Sequence, residues 1–563
     1  MPVELMTARG EGLLASGEKP WQKYPRPQMK RDSYVNLNGY WDYTVQKKAE
    51  FPKEYRQRIL VPFCPESQLS GIKRHPEDGN YLFYRRSFTL PAGFHRGRVL
   101  LHIGAVDQIA EVYVNQIHVA THIGGYEAFT VDITDALREE NELVIRCLDD
   151  LRNKRLPYGK QTLKRGGMWY TPVSGIWQTV WLESVPETYI RQLHVEARGE
   201  KVTVRIVPEL EGTVQIRELG EFPLVGGTVH IAPEKPHLWS PEDPYLYEFT
   251  VVAGEDRVES YFALRSLEIQ TVGKYARLCL NGKPYFFHGL LDQGYWPDGL
   301  FTPAAPECYA DDILAMKKLG FNMLRKHIKV EPEEFYYQCD KLGMVVFQDM
   351  VNNGHYSFIR DTALPTVGMQ RLPDKLLNYD PATRQAFLKG MAATVLQLKN
   401  HPCICYWTIF NEGWGQFDSH RIYDRLRELD DTRFVDSTSG WFRRSKTDVD
   451  SRHVYFRKIA LDAQDKPLVL SEFGGYSYKP EGHVFNTENT YGYGKYEDPR
   501  EFARAVEALY REQVIPAYRS GLCAAVYTQV SDVEDETNGL LSYDRKVTKL
   551  EPEGMLPIAQ LLK

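Results

Sequence analysis

Cys403-Ile404-Cys405-Tyr406-Trp407-Thr408-Ile409-Phe410-Asn411-Glu412-Gly413-Trp414 is the stretch on which the reading of this chain turns. Residues 403–410 are all apolar, aromatic or β-branched, with His401-Pro402 before them and Gly413 after. Such a run predicts a strand buried on both faces. It ends in an amide and a carboxyl side by side. A carboxyl at the end of a buried strand loses hydration, so its pKa is expected to rise toward that of a working general acid. An ordinary Asn-Glu pair capping a loop would read the same way on this stretch alone. Pro467-Leu468-Val469-Leu470-Ser471-Glu472-Phe473-Gly474-Gly475 tips the balance, because it is again a short apolar run, then Glu, then glycines. Two strand-end glutamates are what glycoside hydrolysis requires.

Outward from this pair, strands alternate with helical segments from about residue 273. The expected strands are Tyr285–His288, Phe321–Arg325, Met344–Gln348, 403–410, Phe434–Asp436, His453–Phe456, Leu468–Leu470 and Ala524–Thr528. Helices are expected over Pro306–Leu319, Pro332–Leu342, Pro381–Lys399, Asp418–Leu429 and Pro499–Tyr518. Proline opens four of them, a helix-start signal. The fifth–sixth and sixth–seventh connections carry the weakest helical patterns. Eight such units in about 290 residues match a (β/α)8 TIM barrel, whose chemistry sits at the C-terminal ends of the strands.

The first 272 residues lack this alternation. Residues 1–186 show short alternating runs, such as Tyr40–Val45, Tyr81–Phe88, Ala110–Val114 and Leu143–Cys147, separated by turn signals. They predict a β-sandwich. Residues 187–272 continue in β, with Gln192–Glu196, Val202–Val207 and Tyr247–Val252, and suit a small immunoglobulin-like sandwich without a Cys–Trp–Cys framework. The catalytic barrel is expected over 273–563.

The totals exclude several classes. A length of 563 residues exceeds one core and implies three or four domains. A formal net charge of −6 gives no footprint for nucleic acid or an anionic membrane. The N-terminus has no basic segment leading an apolar core, so no signal peptide or membrane span is read. The eight cysteines are scattered, several of them in apolar runs. Buried free thiols in a cytoplasmic protein are expected. Self-association is left open.

The chain resembles glycoside hydrolase family 2, which contains β-galactosidases, β-glucuronidases and β-mannosidases. The resemblance rests on Ser174-Gly-Ile-Trp-Gln-Thr-Val-Trp-Leu-Glu183, Gly320-Phe-Asn-Met-Leu-Arg325, Cys339-Asp-Lys-Leu-Gly343, Asn411-Glu412, Ser471-Glu-Phe-Gly474 and Asn538-Gly-Leu-Leu-Ser-Tyr-Asp-Arg-Lys546. It implies an N-terminal jelly-roll, an immunoglobulin-like sandwich and a TIM barrel. It also implies a retaining, exo-acting β-glycosidase that works on a carbohydrate substrate without a cofactor. Glu412 would be the acid/base and Glu472 the nucleophile. Asn411 would hydrogen-bond the sugar 2-OH, Tyr455 would sit near the nucleophile, and Arg325 would hold its charge.

Departures from the family pattern narrow the substrate. Where family β-glucuronidases carry an Asn-x-Lys pair, this chain reads Glu536-Thr537-Asn538, so repulsion by Glu536 argues against a uronate. The magnesium-ligand spacing of some β-galactosidases is not kept in Gln348–His355. A β-galactosidase-like activity is the family prior, with β-mannoside, β-glucoside and α-L-arabinopyranoside as alternatives. Asp292 and Gln293 are read either as sugar-contacting groups or as part of a loop packed on the barrel mouth, and Trp296 either as a stacking ring or as part of that loop. Trp414 and Trp441 are candidates for an aromatic wall, and Tyr527 for the pocket floor. Asp532, Glu534, Asp535 and Glu536 read most simply as a solvated acidic face. Two rival readings remain: a non-catalytic carbohydrate-binding protein, and a metal-dependent hydrolase using His288, His327 and Asp349.

Overall fold

The computed structural model describes residues 3–366, 369, 374, 377–455, 457–461 and 465–563. Phe456 of the expected sixth strand lies outside these residues.

The eight barrel strands are Phe287–Asp292, Met323–Lys326, Val345–Asp349, Ile404–Asn411, Phe434–Ser439, Asp450–Val454, Leu468–Gly474 and Leu522–Thr528. They form one parallel sheet in which neighbours in sequence are neighbours in space and the first pairs the eighth. The fifth and sixth strands meet through side chains, Ser439 Oγ lying 3.2 Å from Ser451 Oγ. Helices Glu307–Lys318, Glu333–Leu342, Pro381–Leu398 and Ser419–Leu429 fill the first four crossovers. The seventh is filled by Pro499–Leu509, a wider turn at Tyr510–Val514, and Ile515–Arg519. Among the described residues, the fifth and sixth connections carry no helix. The longest helix starts where its sequence directs: Asp380 caps Thr383 N–H at 3.2 Å and Pro381 sits in the first turn, where it has no hydrogen bond to lose.

The N-terminal sandwich packs a six-stranded sheet against a four-stranded one. Its core is made of inward residues such as Trp41, Tyr84, Val112, Ile145 and Leu182. The immunoglobulin-like sandwich sets three strands against four around Val204, Phe249 and Val258. Glu183, the last residue of the sandwich motif, ties the units together. Its buried carboxylate accepts from Arg31 at 2.9 Å and Arg26 at 3.0 Å, and Arg31 also donates to Asp256 of the second sandwich. All eight cysteines are unpaired and buried. Among the described residues, no helix is long and apolar enough to cross a membrane.

Candidate active site

The fourth strand is buried at every position from Ile404 to Asn411. The chain then bends sharply: Glu412 has φ +53° and Gly413 φ +75°. A left-handed conformation at a non-glycine residue costs on the order of 1 kcal/mol and is retained where the surroundings hold it. Here a Cβ on Gly413 would meet the Phe442 ring at 2.1 Å, so only glycine fits behind Glu412. The bend aims Glu412 across the barrel mouth. Its side chain keeps 20% of its exposure, more than a fully buried strand end would.

Glu472 lies within the seventh strand and is buried. A carboxylate oxygen of Glu412, one of Glu472 and a ring nitrogen of His453 all lie within 4.8 Å of one another. His453 Nδ1 is 2.8 Å from Glu412 Oε1 and 3.6 Å from Glu472 Oε2. Arg325 Nη1 donates to Glu472 Oε1 at 3.1 Å, and Tyr455 OH donates to Glu472 Oε2 at 2.6 Å. Burial opposes ionisation of Glu472. His453, Arg325 and His327 outweigh it together with the Tyr455 hydrogen bond, and bring the carboxyl down to about 2.

Arg325 is the hub. Nε donates to Asp349 Oδ1 at 3.0 Å, Nη1 to the Ser471 carbonyl at 3.0 Å, and Nη2 to Asn411 Oδ1 at 2.9 Å. With Asn411 Oδ1 occupied, its amide nitrogen is the group left to donate. His327 reaches Asp349 Oδ2 at 2.7 Å, and burial lowers its pKa against that carboxylate's pull.

The structure therefore brings Glu412, Glu472, Asn411, Arg325 and Tyr455 together, with Trp441 half-buried 6.4 Å ring to ring from His453. It does not bring in the rest. Asp292 pairs across the sheet with Lys326, on the face opposite Arg325, and its oxygens accept from Lys326 Nζ at 2.6 Å and Gly294 N–H at 2.9 Å. Its register places it outside the barrel lumen rather than against a sugar. Gln293 is buried beside it with Oε1 unpartnered. Trp296 is only 3% exposed, and the Arg545 guanidinium lies 4.1 Å over its ring, so it packs on the barrel rather than offering a stacking face. Tyr527 is wholly buried, its hydroxyl accepting from Tyr476 N–H at 3.2 Å. Its neighbour Thr528 is the one that meets Tyr455, at 2.9 Å. Tyr527 thus belongs to the outer layer and not to the pocket floor.

Trp414 is buried beneath Trp169, at 4.8 Å between ring centroids, and Tyr356, at 5.8 Å. It supports the aromatic wall; Trp169 and Tyr356 are its half-buried members. Trp169 comes from the N-terminal sandwich, which sequence reasoning had not connected to the mouth. The only cue was an aromatic after Gly166-Gly167 in a long loop. The loop docks on the acidic run 532–536, which is buried and not a solvated face. Thr171 N–H donates to Glu534 at 3.1 Å, Arg165 lies 3.4 Å from Asp535, and Tyr170 OH bonds Glu536. The metal-hydrolase reading fails on geometry. His288 Nδ1 bonds the Gly320 carbonyl at 3.1 Å and packs on Phe321, while Asp349 is held by Arg325 and His327.

A TIM barrel with two buttressed, closely spaced carboxylates at its mouth, flanked by two sandwiches, is the architecture of a class of glycosidases. Family models match along the chain: "Glycosyl hydrolases family 2, TIM barrel domain" over residues 272–499, "Glycosyl hydrolase 2 galactose-binding domain-like" over 77–167, and "Glycosyl hydrolases family 2" over 188–265. The chain belongs to glycoside hydrolase family 2. It is 25% identical over 432 residues to a β-galactosidase of Thermoanaerobacter pseudethanolicus, covering 70% of this chain and 53% of that protein. It is 25% identical over 473 residues to the β-glucuronidase of Felis catus, covering 73% of this chain and 68% of that one. The chain thus spans about half the length of the first of these relatives. In fold it is similar to a β-glucuronidase of Bifidobacterium dentium, with a TM-score of 0.73 at 17% identity, covering 95% of this chain and 97% of that one. It is also similar to a β-galacturonidase of Eisenbergiella tayi, with a TM-score of 0.67 at 17% identity, covering 96% and 99%.

Proposed function

We propose that the protein is a retaining exo-β-glycosidase that removes a terminal sugar by double displacement. Glu472 attacks the anomeric carbon while Glu412 protonates the leaving oxygen. Glu412, now a base, takes a proton from water, which releases the sugar from Glu472. What supports this reading is the approach of the two carboxylates to within 4.8 Å, with Arg325 and Tyr455 on Glu472 alone. Retention needs carboxyl groups about 5 Å apart, whereas inversion leaves room for a water between them. The same asymmetry fits the division of labour, since the nucleophile must stay ionised. Trp169 and its loop make the N-terminal sandwich a wall of the sugar site.

For the sugar, the proposal is a neutral β-galactoside-like substrate, because Glu536 stands near the mouth and no Asn-x-Lys pair accompanies it. One observation favours a uronate as the second reading. Burial raises the pKa of Glu536, and Lys160 from the sandwich loop, Tyr170 and Asn538 only partly offset that, so its repulsion of a sugar carboxylate is weaker than its sequence suggests. A panel of chromogenic β-galactoside, glucuronide, mannoside, glucoside and α-L-arabinopyranoside decides between them, with proton NMR of the first-formed anomer. A first-formed anomer of the same configuration as the glycoside cleaved is expected; the opposite anomer, or no cleavage of any member, overturns the proposal.

A further inference from the structure

Neither the carboxylate pair nor its arginine accounts for His453. Its side chain has no exposure, and it stands between Glu412 and Glu472. The ring leaves no room at its back: a Cβ on Gly440 would meet Nδ1 at 2.6 Å. Nε2 lies 3.1 Å from Ser439 Oγ. Ser439 in turn donates to Ser471 Oγ at 3.1 Å, and Ser471 donates to the Arg452 carbonyl at 3.2 Å. A chain of hydroxyls that ends on a carbonyl has a fixed direction, because a carbonyl only accepts. Run backward, it makes Ser439 the acceptor and Nε2 the donor, which sets the tautomer.

With the Nε2 proton in place, Nδ1 facing Glu412 holds either a lone pair or a second proton. In both cases one further proton occupies the 2.8 Å contact, as Glu412–OH to Nδ1 or as Nδ1–H to the Glu412 carboxylate. Two acceptors at that distance would repel. The other groups around the ring do not supply this proton. Glu472 is held ionised by His453, Arg325 and Tyr455, Asp349 pairs Arg325 and His327, Ser451 bonds Ser471 at 2.6 Å, and the Trp441 ring centroid is 6.4 Å away.

We propose that His453 is the positioning residue for Glu412, the two sharing one proton across the Nδ1···Oε1 hydrogen bond so that the acid stays loaded beside an ionised nucleophile. This rests on Glu412 being the acid/base. When substrate binds, the shared proton passes to the leaving oxygen as the glycosidic bond breaks and the Glu472–anomeric carbon bond forms. Glu412 carboxylate then faces the bare Nδ1 lone pair. In the second step Glu412 takes a proton from water as the water oxygen bonds the anomeric carbon and the Glu472–carbon bond breaks, and the resting pair is restored.

Two measurements test it. The first is kcat/KM for 2,4-dinitrophenyl and phenyl β-glycosides of the preferred sugar, in wild type, His453→Leu and His453→Asn. Dinitrophenolate leaves without protonation, whereas phenolate needs it. Loss of a positioned acid costs about 10²-fold or more on the phenyl glycoside, against a change below about threefold on the dinitrophenyl one. Asn can offer either an amide proton or a carbonyl oxygen at the Nδ1 position, so it should recover most of the difference. An equal loss on both substrates, or no loss on either, overturns the inference. The second needs no substrate. In protein labelled with 15N-histidine, the imidazole signal missing from His453→Leu should show a protonated Nε2, and its Nδ1 shift should move in Glu412→Gln. An unprotonated Nε2, or an Nδ1 blind to Glu412→Gln, overturns it. If no β-glycoside is turned over by wild type, the proposed function fails, and the NMR result still decides the proton's place.

Discussion

Replacing Arg325 by Met separates the electrostatic account of the site from a packing account. The side chain is buried, and its guanidinium satisfies Asp349, Glu472, Asn411 and the Ser471 carbonyl at 2.9–3.1 Å. Methionine keeps much of the volume and none of the donors. Breaking a buried ion pair from one side costs about 3–5 kcal/mol, because the partner charge is left uncompensated. Two carboxylates are left here, so the upper part of that range is expected at pH 7. For a domain of this size a loss of 1 kcal/mol lowers the melting midpoint by about 2 °C, which gives about 8–10 °C for the barrel transition. The pH dependence carries the sign. In wild type, the Glu472 carboxyl is depressed to about 2, so its stabilisation is fully present above the unfolded value and is lost progressively as pH falls from that value through about 2. Between pH 7 and 5 this group leaves wild-type stability flat. In the variant, buried carboxyls without their cation have raised pKa values, and taking up protons stabilises the fold as pH falls from 7 to 5. The gap between the two proteins should therefore narrow on acidification, as read by differential scanning calorimetry at the two pH values. A gap of equal size at pH 7 and pH 5, or one under about 1 kcal/mol at pH 7, refutes the claim that Arg325 acts by charge.

Glu412→Gln and Glu472→Gln should each lower kcat by about 10³-fold or more with an unchanged circular dichroism spectrum, and azide should restore turnover of a dinitrophenyl glycoside only in the first. Trp169→Ala removes a half-buried ring of the proposed aromatic wall, so KM should rise about tenfold with kcat nearly kept, a split read from initial rates. Tyr170→Phe removes the donor to buried Glu536 and should cost about 1.5–3 kcal/mol of loop docking, seen as faster proteolysis within residues 160–171.

The barrel was legible because parallel strands buried on both faces read as unbroken apolar runs and proline marks the helix starts. Glu412 and Glu472 were legible because each ends or interrupts such a run with a charge. Side-chain parity was less so, since it needs strand limits good to one residue. The first strand was expected over Tyr285–His288 and runs Phe287–Asp292, where Leu291 pairs with Arg325 and Asp292 is turned away. The sixth strand was expected from His453 and begins at Asp450, with a register shift between Arg452 and His453. A bulge re-aims the residues that follow it. Even so, the cue for His453 was present: it stands two positions before Tyr455, and residues i and i+2 share a face. With Tyr455 bonded to Glu472, the histidine points into the same mouth.

The acidic run at 532–536 shows what a sequence reading cannot reach alone. Four carboxyls within five residues repel unless something neutralises them, and water is the default assumption. Here Asp532 pairs with Lys549 at 2.6 Å, while Glu534, Asp535 and Glu536 meet Thr171, Arg165 and Tyr170, more than 350 residues earlier in the chain. Burial raises the pKa of Glu534 to about 7, with Thr171 and Arg165 opposing it. Such a cluster is costly unless the sandwich loop is seated on it, because an unseated loop would leave these oxygens buried or force the segment open. The same loop carries Trp169 to the mouth. Docking of the sandwich and completion of the proposed sugar pocket are therefore coupled, so a change that unseats Arg165 or Tyr170 should weaken substrate binding without touching Glu412 or Glu472.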